Sequence, residues 1–307
     1  MVDEKRQSKI FIVLTKYMRL DDVIRWMIIS FLGFILGITT LTLQAFLLPF
    51  GVFLVVSFCC MAFIFSINNY YDADSDRANP RRMHKNALAS GEISNKSAMT
   101  INILCVVIPL LILAVFRPIA LVAAILLLIW SATYSVPPVR VKGRPGLDII
   151  WHFFGFLYIV LLGALIAGSL SELGWLMALS LGVFSCIGQL ANHYDDFEYD
   201  KESGTTTFAV RYGLDGTKKA IEVVLGIHLV VLLVLVILYS SRSLITLLLL
   251  VGICILGFVL VKPKRDGFPT KKSYEYYLST IVAGAVYLSI LVYHILMITG
   301  SDLIPVW

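Results

Sequence analysis

Charge is what this sequence has least of. Only 15% of its 307 residues are Asp, Glu, Lys or Arg, where a soluble domain carries about 25%. With 59% hydrophobic residues, a water-exposed fold of this chain would present large apolar patches and aggregate. An ordinary soluble enzyme, a disordered chain and a nucleic-acid-binding protein are excluded on that ground. Paired cysteines are missing as well. Cys59, Cys60, Cys105, Cys186 and Cys254 lie in apolar stretches and none forms a Cys-x-x-Cys pair, so they read as packing residues, not as a disulfide framework. His84, His152, His193, His228 and His294 show no metal-ligand spacing. A secretory leader is not expected either, because the stretch from Met1 to Asp22 is charged and offers no small-residue cleavage site before the first apolar run.

What is abundant is long apolar runs. A spanning helix needs about 20 apolar residues to cross a hydrocarbon core about 30 Å thick. Nine runs qualify, at 23–42, 47–70, 97–115, 117–134, 149–169, 173–194, 219–240, 243–261 and 274–299. They predict an all-α polytopic membrane protein with nine transmembrane helices, a single domain over 1–307 with no room for a soluble one. The connections at Arg117–Pro118 and Ser240–Arg242 are short enough to be tight hairpins. Of the 25 lysines and arginines, all but Arg117 and Arg242 fall in the N-terminal segment or in the loops after runs two, four, six and eight. By the positive-inside rule those loops and the N-terminus are expected in the cytoplasm. The formal charge of +5 is thus first a topology signal.

The acids are also concentrated. Run two ends Asn68-x-x-x-Asp72-x-x-x-Asp76 and run six ends Asn192-x-x-x-Asp196-x-x-x-Asp200. With seven Asn and thirteen Asp in the chain, chance placement predicts on the order of 0.01 such triads. A spacing of four stacks side chains on one helix face, neighbours about 6 Å apart. Stacked carboxylates repel unless a cation lies between them. Hard oxygen donors without His or Cys suit Mg²⁺, which takes one or two carboxylates and completes its shell with water and phosphate. Each member of the second triad follows its counterpart by 124 residues. That offset predicts two four-helix repeats, about 23–148 and 149–272, plus a last helix at 274–299. Repeats with an even number of spans share one orientation, so both triads would face one cavity and could hold two Mg²⁺ bridged by a diphosphate.

Other readings are weaker. A calcium loop starting at Asp72 needs Gly at position six and Glu at twelve, where Arg77 and Met83 stand. An ion-coupled transporter would place its acids near the membrane midplane in helices broken by Gly or Pro, and here they sit at helix ends. The membrane phosphatidyltransferases also use Asp-x-x-x-Asp, but their D-G-x-x-A-R lead-in is absent. Asp148, at the start of run five, is expected to cap that helix. His193 and Asp195, beside the second triad, are candidates to take a proton from an acceptor. Gly163, Gly168, Gly182 and Gly188 suit close helix packing.

At these residues the chain resembles the UbiA superfamily of intramembrane prenyltransferases, over most of its length. The first triad is followed by Leu88-Ala89-Ser90-Gly91-Glu92-Ile93-Ser94, similar to the family's PLxSGxIS. The run from Tyr134 to Lys142, YSVPPVRVK, resembles YSxPPxRLK. The second triad leads into Gly204-Thr205-Thr206-Thr207-Phe208-Ala209-Val210-Arg211-Tyr212-Gly213, similar to DxxxGxxTxAVRxG. Asn69 stands where many members have an acid and Ala87 where they have Pro; neither removes a presumed metal ligand. The resemblance implies Mg²⁺-dependent transfer of an isoprenyl group from an allylic polyprenyl diphosphate to an acceptor, aromatic in many members. Asp72, Asp76, Asp196 and Asp200 would then carry the metal ions, with Asn68 and Asn192 as further ligands. Asn68, Arg77, Lys85, Tyr134, Arg140, Lys142, Asn192 and Lys201 would bind the diphosphate, and Tyr71, Tyr134 and Tyr194 could line the cavity around the allylic cation. The partners implied are the isoprenyl diphosphate, membrane lipids and an aromatic (quinone-type) or lipid acceptor. Hydroxybenzoate, dihydroxynaphthoate, porphyrin-derived and glycerol-lipid acceptors all remain open.

Overall fold

The computed structural model describes residues 8–260 and 274–300. The first seven residues and the basic loop before the ninth run lie outside the described residues. A short α1 (Lys9–Ile12) and a π-helical turn (Val13–Tyr17) precede α2 (Leu20–Gly37) and α3 (Leu43–Arg77). Then come α4 (Pro80–Met83), α5 (Asn95–Phe116), α6 (Pro118–Ser135), α7 (Leu147–Ala167), α8 (Glu172–Asp195), α9 (Phe197–Glu202), α10 (Phe208–Leu238), α11 (Leu244–Leu260) and α12 (Tyr274–Ile298). No strand occurs among the described residues. Among the described residues a helix thus meets each of the nine apolar runs, and seven of these helices are long and apolar enough to cross a membrane. The two that fall short do so for visible reasons. Asp21, Asp22 and Arg25 all fall within the 18 residues of α2, and α11 has 17 residues among those described. The expected hairpins form: Pro118 opens α6 directly after Arg117, and Ser240–Arg242 is one 3₁₀ turn.

Lipid is as apolar as leucine, so burial alone does not hold such a bundle together; small residues and interhelical hydrogen bonds do. α3 is central, with 72% of its apolar window buried, whereas α5 is 22% buried and faces outward. The α2–α7 contact is the tightest. A Cβ on Gly33 would fall on the Val160 carbonyl oxygen, one on Gly37 on that of Ala164, and one on Gly163 on that of Ser30. Ser30 Oγ adds a 3.0 Å hydrogen bond to the Ile159 carbonyl across the same seam. α6 and α7 are tied reciprocally: Trp130 Nε1 donates to the Trp151 carbonyl (2.9 Å) and Trp151 Nε1 to that of Trp130 (2.8 Å). Deep between α8, α10 and α12, Ser180 Oγ lies 2.9 Å from the Tyr287 hydroxyl, which is 3.0 Å from His228 Nε2. These pairs set the register of the helices whose ends carry the two triads.

Candidate active site

Both triads open onto one cavity of about 800 Å³. Its walls include Asn68, Asp72 and Asp76 from α3, Tyr134 from α6, Asp148 from α7, Asn192 and His193 from α8, and Asp196 and Asp200 around α9. The first triad is one unbroken helical column inside α3. The second is not. α8 ends at Asp195, and Asp196 (φ −94°, ψ 7°) links it to α9. Backbone hydrogen bonds of four-residue span persist through the break, Asp196 N–H to the Asn192 carbonyl (2.9 Å) and Asp200 N–H to that of Asp196 (2.8 Å). The three side chains therefore still reach the same cavity, but the second triad is bent where the first is straight.

The charges around the two triads differ more than their spacing does. The Lys142 ammonium is in direct contact with Asp72 Oδ2, and Arg140 Nη2 lies 3.6 Å from Asp72 Oδ1. The loop carrying both cations is folded back on α6 by Val141 N–H to the Thr133 carbonyl and Lys142 N–H to that of Tyr134, each 3.0 Å. Asp76 Oδ2 accepts from Asn86 Nδ2 at 2.9 Å, and Asn68 Oδ1 from Ser135 Oγ at 2.7 Å. Among the described residues, neither Asp196 nor Asp200 has a lysine or arginine in ion-pair contact. Burial pushes the Asp200 carboxyl above the ordinary aspartate range, and the nearby Asp196 carboxylate adds to the rise.

Lys85 and Tyr134 line the cavity with the triads. Arg77 and Lys201 do not. Each follows a triad Asp by one residue and so points about 100° away from it around the helix. Arg77 pairs instead with exposed Asp74 at 2.8 Å, and the Lys201 ammonium lies 5.9 Å from the centre of the Phe197 ring. Of the three tyrosines, only Tyr134 is on the wall. Asp148 does not cap α7, whose N-cap is Gly146; it sits in the first turn, where Oδ1 accepts from Ile149 N–H (3.0 Å) and the other oxygen meets His193 Nε2 at 2.8 Å. The His193 ring nitrogen also lies 2.9 Å from the Gln189 amide. Asp195 is exposed and absent from the wall.

Asn86 is a site residue that spacing alone does not reveal. Buried in the loop after α4, it donates to Asp76 and to the Asn69 carbonyl (2.8 Å), while its own carbonyl accepts from Leu88 N–H at 3.1 Å. It fixes the rotamer of a carboxylate that belongs to the first triad. Groups that hold a metal ligand in this way typically govern affinity by 10–100-fold. Asn86→Ala is therefore expected to raise the Mg²⁺ concentration needed for half-maximal activity about tenfold or more. An unchanged Mg²⁺ dependence would remove this role.

The donor set suits Mg²⁺. It is all oxygen, and among the described residues no three His, Cys, Asp or Glu side chains converge closely enough to hold an ion alone. That is the arrangement for an ion using one or two carboxylates from the protein and the rest from water and phosphate.

Comparison with known proteins agrees with this geometry. The sequence profile described as UbiA prenyltransferase family matches residues 26–281. The chain belongs to the UbiA prenyltransferase family. Like other UbiA chains it is an integral membrane protein and a prenyltransferase. A UbiA homologue from Archaeoglobus fulgidus, solved with GPP and Mg²⁺, shares its fold with a TM-score of 0.70 at 22% identity, over 95% of this chain and all of that one. A structure described as digeranylgeranylglyceryl phosphate synthase in membranes gives 0.70 at 20% identity, over 94% of this chain and 99% of the other. Among curated proteins, the lycopene elongase/hydratase of Haloarcula japonica is 29% identical over 178 residues. That match spans only 55% of this UbiA chain and 56% of its relative.

Proposed function

We propose that this protein transfers an isoprenyl group from an allylic diphosphate to a lipid-soluble acceptor within the membrane, with two Mg²⁺ ions at the two triads. The observation that carries the reading is the meeting of both triads and Lys142 around one cavity, with Arg140 3.6 Å from Asp72. Mg²⁺, when bound, would neutralise the diphosphate and make it a better leaving group. Asp72, Asp76, Asp196 and Asp200, with Asn68 and Asn192, would hold the ions. Lys142 and Arg140, and Lys85 on the wall, would bind phosphate oxygens and stabilise charge as the C–O bond breaks. Tyr134, its ring centre 4.5 Å from that of Trp151 and tilted 41° to it, presents a ring to the allylic cation and keeps water off it. His193, held by Asp148, is the group placed to take the proton released when the acceptor adds.

The nine helices are read as nine spans in two four-helix repeats plus α12, with the triad end in the cytoplasm. The 124-residue offset between triads that share one cavity supports the repeats, and the distribution of lysine and arginine supports the orientation. A quinone-type aromatic acceptor is the expectation from the sequence resemblance. The names of the relatives favour a second reading, an aliphatic lipid acceptor such as a polyene or a glycerol lipid. The deciding assay incubates the purified protein with Mg²⁺ and labelled geranyl or geranylgeranyl diphosphate against a panel of both acceptor classes. A labelled adduct identifies the class; no adduct and no diphosphate release with any pair overturns the reading.

A further inference from the structure

The two triads are spaced alike yet face opposite electrostatic surroundings, and this bears on how the site fills. Both carboxylate oxygens of Asp72 already face cations, Lys142 at Oδ2 and Arg140 at Oδ1. Asp72 is buried, with its side chain 7% exposed, so its two positive neighbours are its solvation. A divalent ion reaching Asp72 meets the repulsion of the Lys142 ammonium and the Arg140 guanidinium already at its two oxygens, so it binds best once they have moved away. Asp196 is exposed and Asp200 buried, and neither is held by a lysine or arginine among the described residues. Asp200 feels Arg82 and His193 only from beyond ion-pair distance, so two neighbouring carboxylates of like charge favour taking up a cation at once. A diphosphate changes the first side only. It offers Lys142 and Arg140 a more highly charged anion in the same cavity, and the flexible lysine stem lets the ammonium swing to it.

We propose that Lys142 stands in for a divalent ion at Asp72 in the resting protein, so that the two metal positions load in order. The Asn192–Asp196–Asp200 triad takes an ion without the diphosphate, water completing its shell. The Asn68–Asp72–Asp76 triad takes one only when a diphosphate draws Lys142 and Arg140 away. The donor and the second ion then arrive together, and the resting site never holds both ions without a leaving group to clamp. This inference rests on the metal-site reading above and adds an order of binding to it.

The test counts Mn²⁺ ions by electron paramagnetic resonance on the purified full-length protein in lipid nanodiscs, with Mn²⁺ alone and then with inorganic pyrophosphate added. Wild type is expected to bind one Mn²⁺ without pyrophosphate and two with it. Lys142→Met is expected to bind two without it, the second at least about tenfold more tightly than in wild type. Lys142→Gln, which keeps a polar end, provides a second removal of the charge if the first fails to fold. Asp72→Asn is expected to stay at one ion in both conditions, and Asp196→Asn to lose the ion bound without pyrophosphate. Two ions on the wild type without pyrophosphate, or one ion on the lysine variants, overturns the ordered loading while leaving the metal sites intact. No bound Mn²⁺ in either condition overturns the metal-site reading itself.

Discussion

Asp72→Asn and Asp196→Asn are each expected to lower prenyl transfer by about 10³-fold or more, with the purified protein still folded. Each change keeps the side-chain shape but removes half of what a cation needs at that triad. At Asp72 it also leaves Lys142 and Arg140 without the anion that positions them. The loss should fall on kcat more than on acceptor KM, because the missing charge matters most as the diphosphate leaves. Folding should survive, since neither residue lies on the close-packed α2–α7 seam. Mg²⁺-dependent turnover of labelled donor, with melting temperature as the folding control, measures both. Near-normal turnover by either variant would remove these carboxylates from the chemistry.

The largest effect on stability is expected at Gly163. Its Cβ would collide with the Ser30 carbonyl oxygen and approach the Phe34 amide nitrogen to 2.9 Å, both backbone atoms of α2. Neither can rotate away, so α2 and α7 must separate along the seam. Overpacking of this kind costs about 3 kcal/mol, a fall of about 6–12 °C in melting temperature for a chain of this order of size. Gly163→Ala is the variant to measure. Gly226→Ala is the control: nothing lies within 4 Å of its Cβ, so the substitution should be neutral or stabilising by up to about 1 kcal/mol. A Gly163→Ala protein that melts with wild type would show that the seam relaxes freely. Activity should fall as well, because α7 carries Asp148 to the cavity wall.

The helices were legible in the sequence because a spanning helix is encoded locally, by an apolar run that any window detects. The triads were legible for the same reason, since four-residue spacing is a local property that forces a shared face. What local spacing cannot encode is the far partner. Asp148 and His193 are 45 residues apart in sequence and meet only because α7 and α8 pack side by side. Asn86 sits in an irregular loop, where no periodicity announces that its amide will reach Asp76. The bend at Asp196 has no glycine or proline to signal it. Arg77 and Lys201 show the converse. Proximity in sequence to a triad suggested phosphate contact, but one residue of helix turns the side chain off the ligand face.

Asn69 stands where many family members have an acid, and here its amide serves a different end. It donates to the Lys16 carbonyl at 3.1 Å and to the Tyr17 carbonyl at 2.8 Å, while Tyr17, fully buried, reaches the Ala98 carbonyl at 3.3 Å. Lys16 is tied in turn to Glu92 at 2.6 Å. The stretch so pinned supplies Thr15, Lys16, Arg19, Asp21 and Asp22 to the cavity wall. The lead-in to the first long helix is therefore a wall of the cavity, and under the proposed function its fit would decide whether the allylic cation meets the acceptor or bulk solvent. Asn69→Ala should divert donor from adduct into free prenyl alcohol, a change in product partition visible even where total diphosphate release is unchanged. An unaltered alcohol-to-adduct ratio would show that the vessel is sealed elsewhere.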